Sequence, residues 1–152
     1  HIDQSLFART ILDEKNGPPP EVNLFNEKNN GESILNLIDK GYVKSAHDIS
    51  LGGLLVAISK MCIKGNKGIK INKSKNLINE IEYFFAEDQG RYLIEVNKED
   101  LKEVTKILNK NSVHHEELGI ITQNDMIINE KTKVTIDELK SYYTSWLSKY
   151  MS

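Results

Sequence analysis

Three consecutive prolines, Pro18-Pro19-Pro20, directly follow Gly17 and constrain the fold of this chain more than any other feature. Proline fixes its own φ and lacks the N–H that a helix or a central strand needs, so this run forms a stiff, extended connector. We interpret the connector as a spacer rather than a ligand contact. It separates residues 1–22, a short helix with its proline-rich linker, from residues 23–152, which we predict to be the main domain.

Hydrophobic periodicity predicts that helices and strands follow one another in mixed order. The predicted helices are 3–15, a helix from Asn23 to Gly41, a buried helix at 54–63, 77–85, 98–108 with Asn97 as its cap, and a last helix from Asp137. The predicted strands are 42–46, 69–71, 92–96, 117–122, 126–129 and 133–136. This order, with a hairpin near the end, is typical of a layered α+β domain in which helices pack on a mixed sheet.

Charge and cysteine content exclude several classes of function. The net charge of −2 and the scattered lysines offer no patch for nucleic acid or a membrane surface. The single cysteine, Cys62, excludes an internal disulfide and fits a cytoplasmic protein, and its apolar neighbours indicate an inert core residue. Neither Cys62 nor the His114-His115 pair has zinc-ligand spacing, so we expect no metal site.

The first polar segment runs from a strand end at His47-Asp48 to a helix start at Gly52-Gly53. Free backbone N–H groups and the helix dipole suit that start to an anion, and glycine permits a ligand to come close. Ser50 either contacts such a ligand or simply caps the helix. His47 and Asp48 point to opposite faces of a strand, so we expect structural roles rather than a general-base pair.

The second polar segment places Glu87, Asp88, Gln89 and Arg91 around Gly90, between a helix and a strand. Of 20 basic residues only Arg9 and Arg91 are arginines, which suggests that guanidinium geometry matters there. These side chains suit either a ligand with ribose hydroxyls or an amide, or a self-satisfied turn in which Arg91 pairs with Glu87. Neither segment alone names a reaction.

Together the segments resemble a known family. His-Asp-x-Ser-x-Gly-Gly at 47–53 is similar to the C-terminal domains of the aminoimidazole-ribonucleotide synthetase superfamily. Phe-x-Glu-x-Gln-Gly-Arg at 85–91, the Gln4-Ser5-Leu6 opening with Arg9, the proline run and Trp146 resemble the phosphoribosylformylglycinamidine synthases within it. The chain departs from that pattern at Asp3, Leu51 and Asp88. Leu51 replaces a carboxylate, which argues against a metal in the 47–53 loop.

The resemblance implies a function for the full enzyme. Such a ligase uses ATP, Mg²⁺ and ammonia to convert formylglycinamide ribonucleotide to the amidine in purine biosynthesis, and a glutaminase partner supplies the ammonia. Substrate or nucleotide binding is implied for Ser50, Gly52, Gly53, Glu87, Gln89, Gly90 and Arg91. The resemblance names no catalytic residue here, and the Glu87 motif belongs either to a working site or to a structural copy.

We expect a domain cut from a longer chain, because the sequence begins with His1 rather than Met. Alone it should be inactive, bind no ATP or Mg²⁺, and be prone to self-association. Two alternatives remain: another superfamily member, of the selenophosphate synthetase, thiamine-phosphate kinase or hydrogenase-maturation type, or a non-catalytic interaction module.

Overall fold

The computed structural model describes residues 2–71 and 79–152 and has a mixed helix and strand order. The helices are α1 (Leu6–Thr10), α2 (Leu24–Asp39), α3 (Gly53–Gly65), α4 (Glu80–Phe85), α5 (Leu101–Lys110) and α6 (Ile136–Met151). The strands are β1 (Val43–Asp48), β2 (Gly68–Ile71), β3 (Tyr92–Val96), β4 (Gly119–Thr122), β5 (Asp125–Ile128) and β6 (Thr132–Thr135). Residues 18–23 belong to neither a helix nor a strand, and the extended connector stays a prediction.

The first of two compact units comprises His1–Ala57 and Ile81–Glu116. Its strands β1 and β3 pair antiparallel, with Asp48 opposite Tyr92. The apolar sides of α2 and α5 meet at the core residues Leu37, Val104 and Leu108. The predicted helix from Asn23 to Gly41 is confirmed: the Asn23 side chain caps α2, and Gly41 follows its end with a φ of +74°.

The second unit comprises Ile58–Glu80 and Glu117–Ser152 and contains a four-stranded mixed sheet. The strand order is β4-β2-β5-β6, in which β2 and β5 run parallel and the outer pairs are antiparallel. Buried side chains of this unit are Ile58, Cys62, Ile71, Met126 and Ile136. The α+β class with a mixed sheet and a hairpin near the end is thereby confirmed. The division of the sequence at residue 22 stays a prediction.

Two predicted helix starts differ from the observed ones. Helix α5 begins at Leu101 rather than at residue 98, because Asn97 opens a turn in which its carbonyl accepts from the Asp100 N–H. Helix α6 begins at Ile136, one residue before the predicted start at Asp137, and Thr135 is its cap. At α5 the polar residue Asn97 misled the prediction. For the helix predicted at 77–85, α4 is described from Glu80, and the residues at 77 and 78 lie outside the described part.

Cys62 is a core residue, as the sequence predicted. It is 7% exposed and unbridged. Burial raises the pKa of its thiol from 9.0 to about 11, because the thiolate would lose its hydration. The reactive thiolate is therefore scarce at neutral pH.

The start of α6 gives a pH-dependent prediction. The Glu138 carboxylate accepts from the Thr135 N–H and hydroxyl in a capping box, which lowers the pKa of Glu138 below its usual 4.5. Its stabilising effect is complete above the unfolded-state pKa and is lost as pH falls through the lower folded-state pKa. The free energy of unfolding of wild type and Glu138→Gln should therefore converge between pH 7 and about pH 3. A pH-independent difference would contradict this role.

None of the helices in residues 2–71 and 79–152 combines the length and the hydrophobicity that a membrane span requires.

Candidate functional site

A cavity of about 700 Å³ in the first unit brings the two predicted polar segments together. Three stretches of chain form it: the start of α2, the end of β1 with the loop after it, and the turn that precedes β3. Its lining residues are Leu24, Glu27, Lys28, Asp48, Ile49, Ser50, Leu51, Glu87, Gln89, Gly90, Arg91 and Tyr92. Five of the predicted site residues, Ser50, Glu87, Gln89, Gly90 and Arg91, thus share one cavity.

The pairing of β1 with β3 explains why these segments meet. The register places Asp48, the last residue of β1, opposite Tyr92, the first residue of β3. The pairing continues past the strands, since the Ile49 N–H donates to the Arg91 carbonyl at 2.9 Å. The loop after β1 and the turn before β3 must therefore lie side by side at the same end of the ribbon.

Glu87 makes the most informative contacts of this site. Its Oε1 accepts from the Gly52 N–H at 2.7 Å and from the Leu6 N–H at 2.8 Å. The Gly52 N–H, which the sequence predicted as a donor to an anionic ligand, thus donates to a carboxylate of the protein itself. Glu87 joins α1 to the loop before α3. Its two hydrogen bonds satisfy one backbone N–H at the start of α1 and one just before α3.

Gly52 and Gly53 do not line the cavity, because protein atoms occupy the space beside them. Gly53 has a φ of +72°, and a Cβ there would lie 2.7 Å from the Phe85 carbonyl carbon. Gly52 has a φ of +89°, and a Cβ there would lie 2.5 Å from a methyl carbon of Val56. These glycines are explained by backbone conformation and by close packing within the protein, and not by close approach of a ligand.

Arg91 does not pair with Glu87, contrary to the turn considered from the sequence. Its Nη1 donates to the Ala86 carbonyl at 3.3 Å and lies 3.7 Å from Asp88 Oδ2. Glu87 is committed to backbone donors, so Asp88 is the carboxylate that faces the guanidinium. The Arg91 side chain is 31% exposed, which leaves it accessible at the cavity wall.

Gly90 shapes the turn between these side chains. Its φ of +68° is a backbone conformation that favours glycine, and a Cβ there would lie 2.9 Å from Glu27 Cγ. The Gly90 carbonyl accepts from Asn30 Nδ2 at 3.0 Å. The turn is therefore fixed against α2, and the neighbouring Gln89 side chain is left exposed.

His47 and Asp48 lie closer together than strand alternation predicted. His47 Nδ1 hydrogen-bonds the Asp48 carbonyl at 2.5 Å and lies 3.4 Å from Asp48 Oδ1. The expectation that the two side chains cannot meet was therefore wrong at Asp48, the last residue of β1. A carbonyl only accepts, so this hydrogen bond requires the proton on Nδ1, and the structural role of His47 stays a prediction.

Sequence reasoning missed the contribution of α2 to the cavity, namely Leu24, Glu27 and Lys28. They lie in the first turns of an amphipathic helix, where charged residues usually face solvent. Tyr92 was assigned to a strand without a role in the site. No pattern in these residues signals that they share a cavity with residues 48–51 and 87–91.

The charges around the cavity are mixed: Glu27, Asp48 and Glu87 are acidic, while Lys28 and Arg91 are basic. This lining suits a ligand with hydrogen-bonding groups and limited negative charge better than it suits a triphosphate. Among residues 2–71 and 79–152, no group of three or more His, Cys, Asp or Glu side chains is placed to hold a metal ion. The described residues do not by themselves fit Mg²⁺ or the phosphates of ATP.

Comparison with known proteins gives the family. Residues 4–129 match the C-terminal domain of AIR synthase related proteins. The chain is 64% identical over 151 residues to phosphoribosylformylglycinamidine synthase subunit PurL of Pelagibacter ubique, covering 99% of this chain and 21% of that protein. It is 38% identical to the same subunit from Bartonella henselae, with 99% of this chain and 20% of that protein covered. The chain therefore spans about a fifth of these relatives.

Solved structures show the same fold. The Thermotoga maritima PurL complexed with FGAR aligns with a TM-score of 0.72 at 20% identity, over 88% of this chain and 24% of that one. The PurLQS structure of the same organism aligns with a TM-score of 0.67 at 21% identity, over 87% of this chain and 24% of that one. Fold and sequence agree with the resemblance found in the motifs. The chain belongs to the family of AIR synthase related proteins, as their C-terminal domain.

Proposed function

We propose that this chain forms one wall of the substrate cleft of a phosphoribosylformylglycinamidine synthase. That ligase converts formylglycinamide ribonucleotide, ATP and glutamine-derived ammonia to formylglycinamidine ribonucleotide, ADP and phosphate, in cytoplasmic purine biosynthesis. The observation that carries the proposal is the cavity in which the loop after β1 and the turn before β3 meet. The named relatives support the reaction, and one solved relative is complexed with FGAR.

Three exposed or half-exposed side chains of the cavity contact the ligand in this proposal. Gln89 and Ser50 are exposed and offer an amide and a hydroxyl, groups that recognise ribose hydroxyls or a formamide. Arg91 offers a planar guanidinium that suits a phosphate monoester. Gly90 brings its backbone close to the same ligand.

In this proposal, Glu87, Gly52 and Gly53 do not contact the ligand; they position the residues that do. Glu87 holds the N–H groups of Gly52 and Leu6, so its part is to position the loop that carries Ser50. Gly53 permits the close packing of that loop on Phe85. His47 and Asp48 keep the end of β1 in place.

In this proposal, other parts of a longer enzyme supply the rest of the active site and the other reactants. The chain matches about a fifth of its relatives, so the rest of such an enzyme would supply the opposite wall, the ATP site and Mg²⁺. A glutaminase partner would supply ammonia, in line with the solved PurLQS of Thermotoga maritima. Residues 1–22 would serve as linker to the domain at 23–152, and the chain alone would be inactive.

The proposal predicts a large effect of Arg91 on substrate use. In the complete enzyme, Arg91→Ala should raise the KM for formylglycinamide ribonucleotide about 30-fold, since a charged hydrogen bond is worth about 2 kcal/mol. Arg91→Lys should recover only part of this, because an ammonium cannot bind a phosphate through two parallel hydrogen bonds. Steady-state kinetics and growth of a purine auxotroph provide the measurement.

Lys98→Ala is the matched control, since it removes an exposed positive charge outside the cavity lining. If Arg91→Ala folds normally and its KM is unchanged, Arg91 and its turn do not bind the ligand. That result would favour the second candidate, a structural copy of the site. The contacts of Glu87 with two backbone N–H groups, which leave its Oε1 committed within the protein, are the observation in its favour.

A further inference from the structure

The middle of α2 contains three consecutive residues that weaken a helix, Asn29, Asn30 and Gly31. Asparagine competes for backbone hydrogen bonds, and glycine loses more conformational freedom than other residues, so both are weaker helix formers than alanine. Local preference therefore does not explain their place in the centre of a 16-residue helix. A local cost of this kind points to contacts with other parts of the fold.

Each of the two asparagines donates its amide to a backbone carbonyl outside α2. Asn30 Nδ2 donates to the Gly90 carbonyl at 3.0 Å, and Asn29 Nδ2 donates to the Asn111 carbonyl at 2.7 Å. Both hydrogen bonds are partly buried, and both lie within the first unit. The neighbouring side chains thus fasten α2 to different places: Asn30 to the turn before β3, and Asn29 to the end of α5.

The hydrogen bond from Asn30 holds one of the two ends of the Arg91 backbone. The carbonyl before Arg91, that of Gly90, accepts from Asn30, and the carbonyl of Arg91 itself accepts from the Ile49 N–H at 2.9 Å. The Arg91 guanidinium makes a longer hydrogen bond, 3.3 Å, to the Ala86 carbonyl. Longer hydrogen bonds are weaker, so the backbone contributes more than the side chain's own bond to the placement of Arg91.

Packing contacts show that the same side of α2 supports this turn. A Cβ at Gly90 would lie 2.9 Å from Glu27 Cγ, and a Cβ at Gly31 would lie 3.6 Å from the Tyr92 hydroxyl. Residues three and four apart are neighbours on a helix surface, so positions 27, 30 and 31 form one patch. Asn30 lies within this patch and adds a hydrogen bond to the packing.

We propose that Asn30 is a positioning residue for the cavity. Its amide fixes the Gly90 carbonyl and thereby orients the Arg91 guanidinium toward the ligand. This role rests on the function proposed above, in which Arg91 binds the phosphate of the substrate. Asn30 lies outside the cavity lining and acts through the turn. A residue that supports ground-state and transition-state binding equally changes KM and leaves kcat unaltered.

Steady-state kinetics of Asn30→Ala in the complete enzyme test this role. We expect the KM for formylglycinamide ribonucleotide to rise about 5-fold with an unchanged kcat, as for the loss of one neutral hydrogen bond. Asn29→Ala is the matched control, because it removes an equivalent hydrogen bond from the adjacent position of α2, and its KM should stay at the wild-type value. Asn30→Gln keeps an amide donor and should recover part of the loss. Equal KM values for the two alanine variants would overturn the proposal.

A double variant shows whether Asn30 acts through Arg91. Asn30→Ala combined with Arg91→Ala should have about the same 30-fold higher KM as Arg91→Ala alone, because no guanidinium is left to orient. Two independent contributions would instead multiply to about 150-fold. That outcome would contradict a positioning role.

Amide exchange distinguishes a failure of this proposal from a failure of the proposed function. The Ile49 N–H, which donates to the Arg91 carbonyl, should exchange faster in Asn30→Ala and at the wild-type rate in Asn29→Ala. If Arg91→Ala leaves KM unchanged, the proposed function is wrong, and exchange at Ile49 decides whether Asn30 holds the turn. If Arg91→Ala raises KM while Asn30→Ala alters neither KM nor this exchange rate, the positioning role is wrong.

Discussion

Gly53→Ala should lower the free energy of unfolding of the chain by about 3–5 kcal/mol. Two effects add at this position. A non-glycine residue at a φ of +72° is strained, and its Cβ would meet the Phe85 backbone at 2.7 Å. Backbone cannot move aside as the end of a long side chain can. Thermal unfolding should therefore begin roughly 10 °C lower, as measured by circular dichroism.

Gly41→Ala separates the two effects. Gly41 has a similar φ of +74°, but nothing lies within 4 Å of the position that a Cβ would take. The free energy of unfolding of this variant should fall by only about 1 kcal/mol, which is the cost of a positive φ in a residue that has a Cβ. Equal losses for both variants would mean that the contact with Phe85 is soft, and that Gly53 is needed for its φ alone.

Glu87→Ala should be the most damaging single change among the cavity side chains, at about 2–3 kcal/mol. It removes the acceptor of two N–H groups, those of Leu6 and Gly52, which lie far apart in the sequence. Both amides should exchange with deuterium faster in the variant, because α1 and the loop before α3 lose their common anchor. Urea denaturation and amide exchange provide the two measurements.

Glu87→Gln is the informative control for that prediction. Glutamine has a side chain of the same length, and its carbonyl oxygen still accepts hydrogen bonds, so only the charge is lost. We therefore expect the free energy of unfolding to fall by about 1 kcal/mol. Exchange at Leu6 and Gly52 should then stay close to the wild-type rate. If Glu87→Ala leaves both exchange rates unchanged, the carboxylate is not the anchor, whatever the variant does to stability.

Much of the fold could be predicted because its signals are local. Strand β3 was predicted at its observed bounds, since Tyr92–Val96 is rich in β-branched and aromatic residues and follows a glycine turn. Asn23 was recognised as a helix cap, and its side chain caps α2 in the structure. Gly41 was recognised as a helix stop, and it follows the end of α2 with a positive φ. The failure at Asn97 concerns the choice of a cap among neighbouring polar residues, which depends on geometry that periodicity does not report.

The site was less predictable because it depends on register. The sequence identified both polar segments, but the hydrogen bond between Ile49 and Arg91 that brings them together follows from pairing across more than forty residues. The same holds for Glu87 and Leu6, whose contact joins the two separate stretches of the first unit. The sequence left an Arg91–Glu87 pair open as one of two possibilities, whereas in the structure Glu87 accepts from the N–H groups of Leu6 and Gly52.

The order of the two units along the chain has a consequence for folding kinetics. Each unit is built from two separate stretches, so the chain enters the second unit after Ala57, returns at Ile81 and leaves again after Glu116. Strand β2 at Gly68–Ile71 must wait for β4 and β5, some fifty residues later, before its pairings form. Such high contact order slows folding, because loop closure costs entropy before the contacts repay it. On the ribosome, neither unit can complete its contacts until its second stretch has been synthesised.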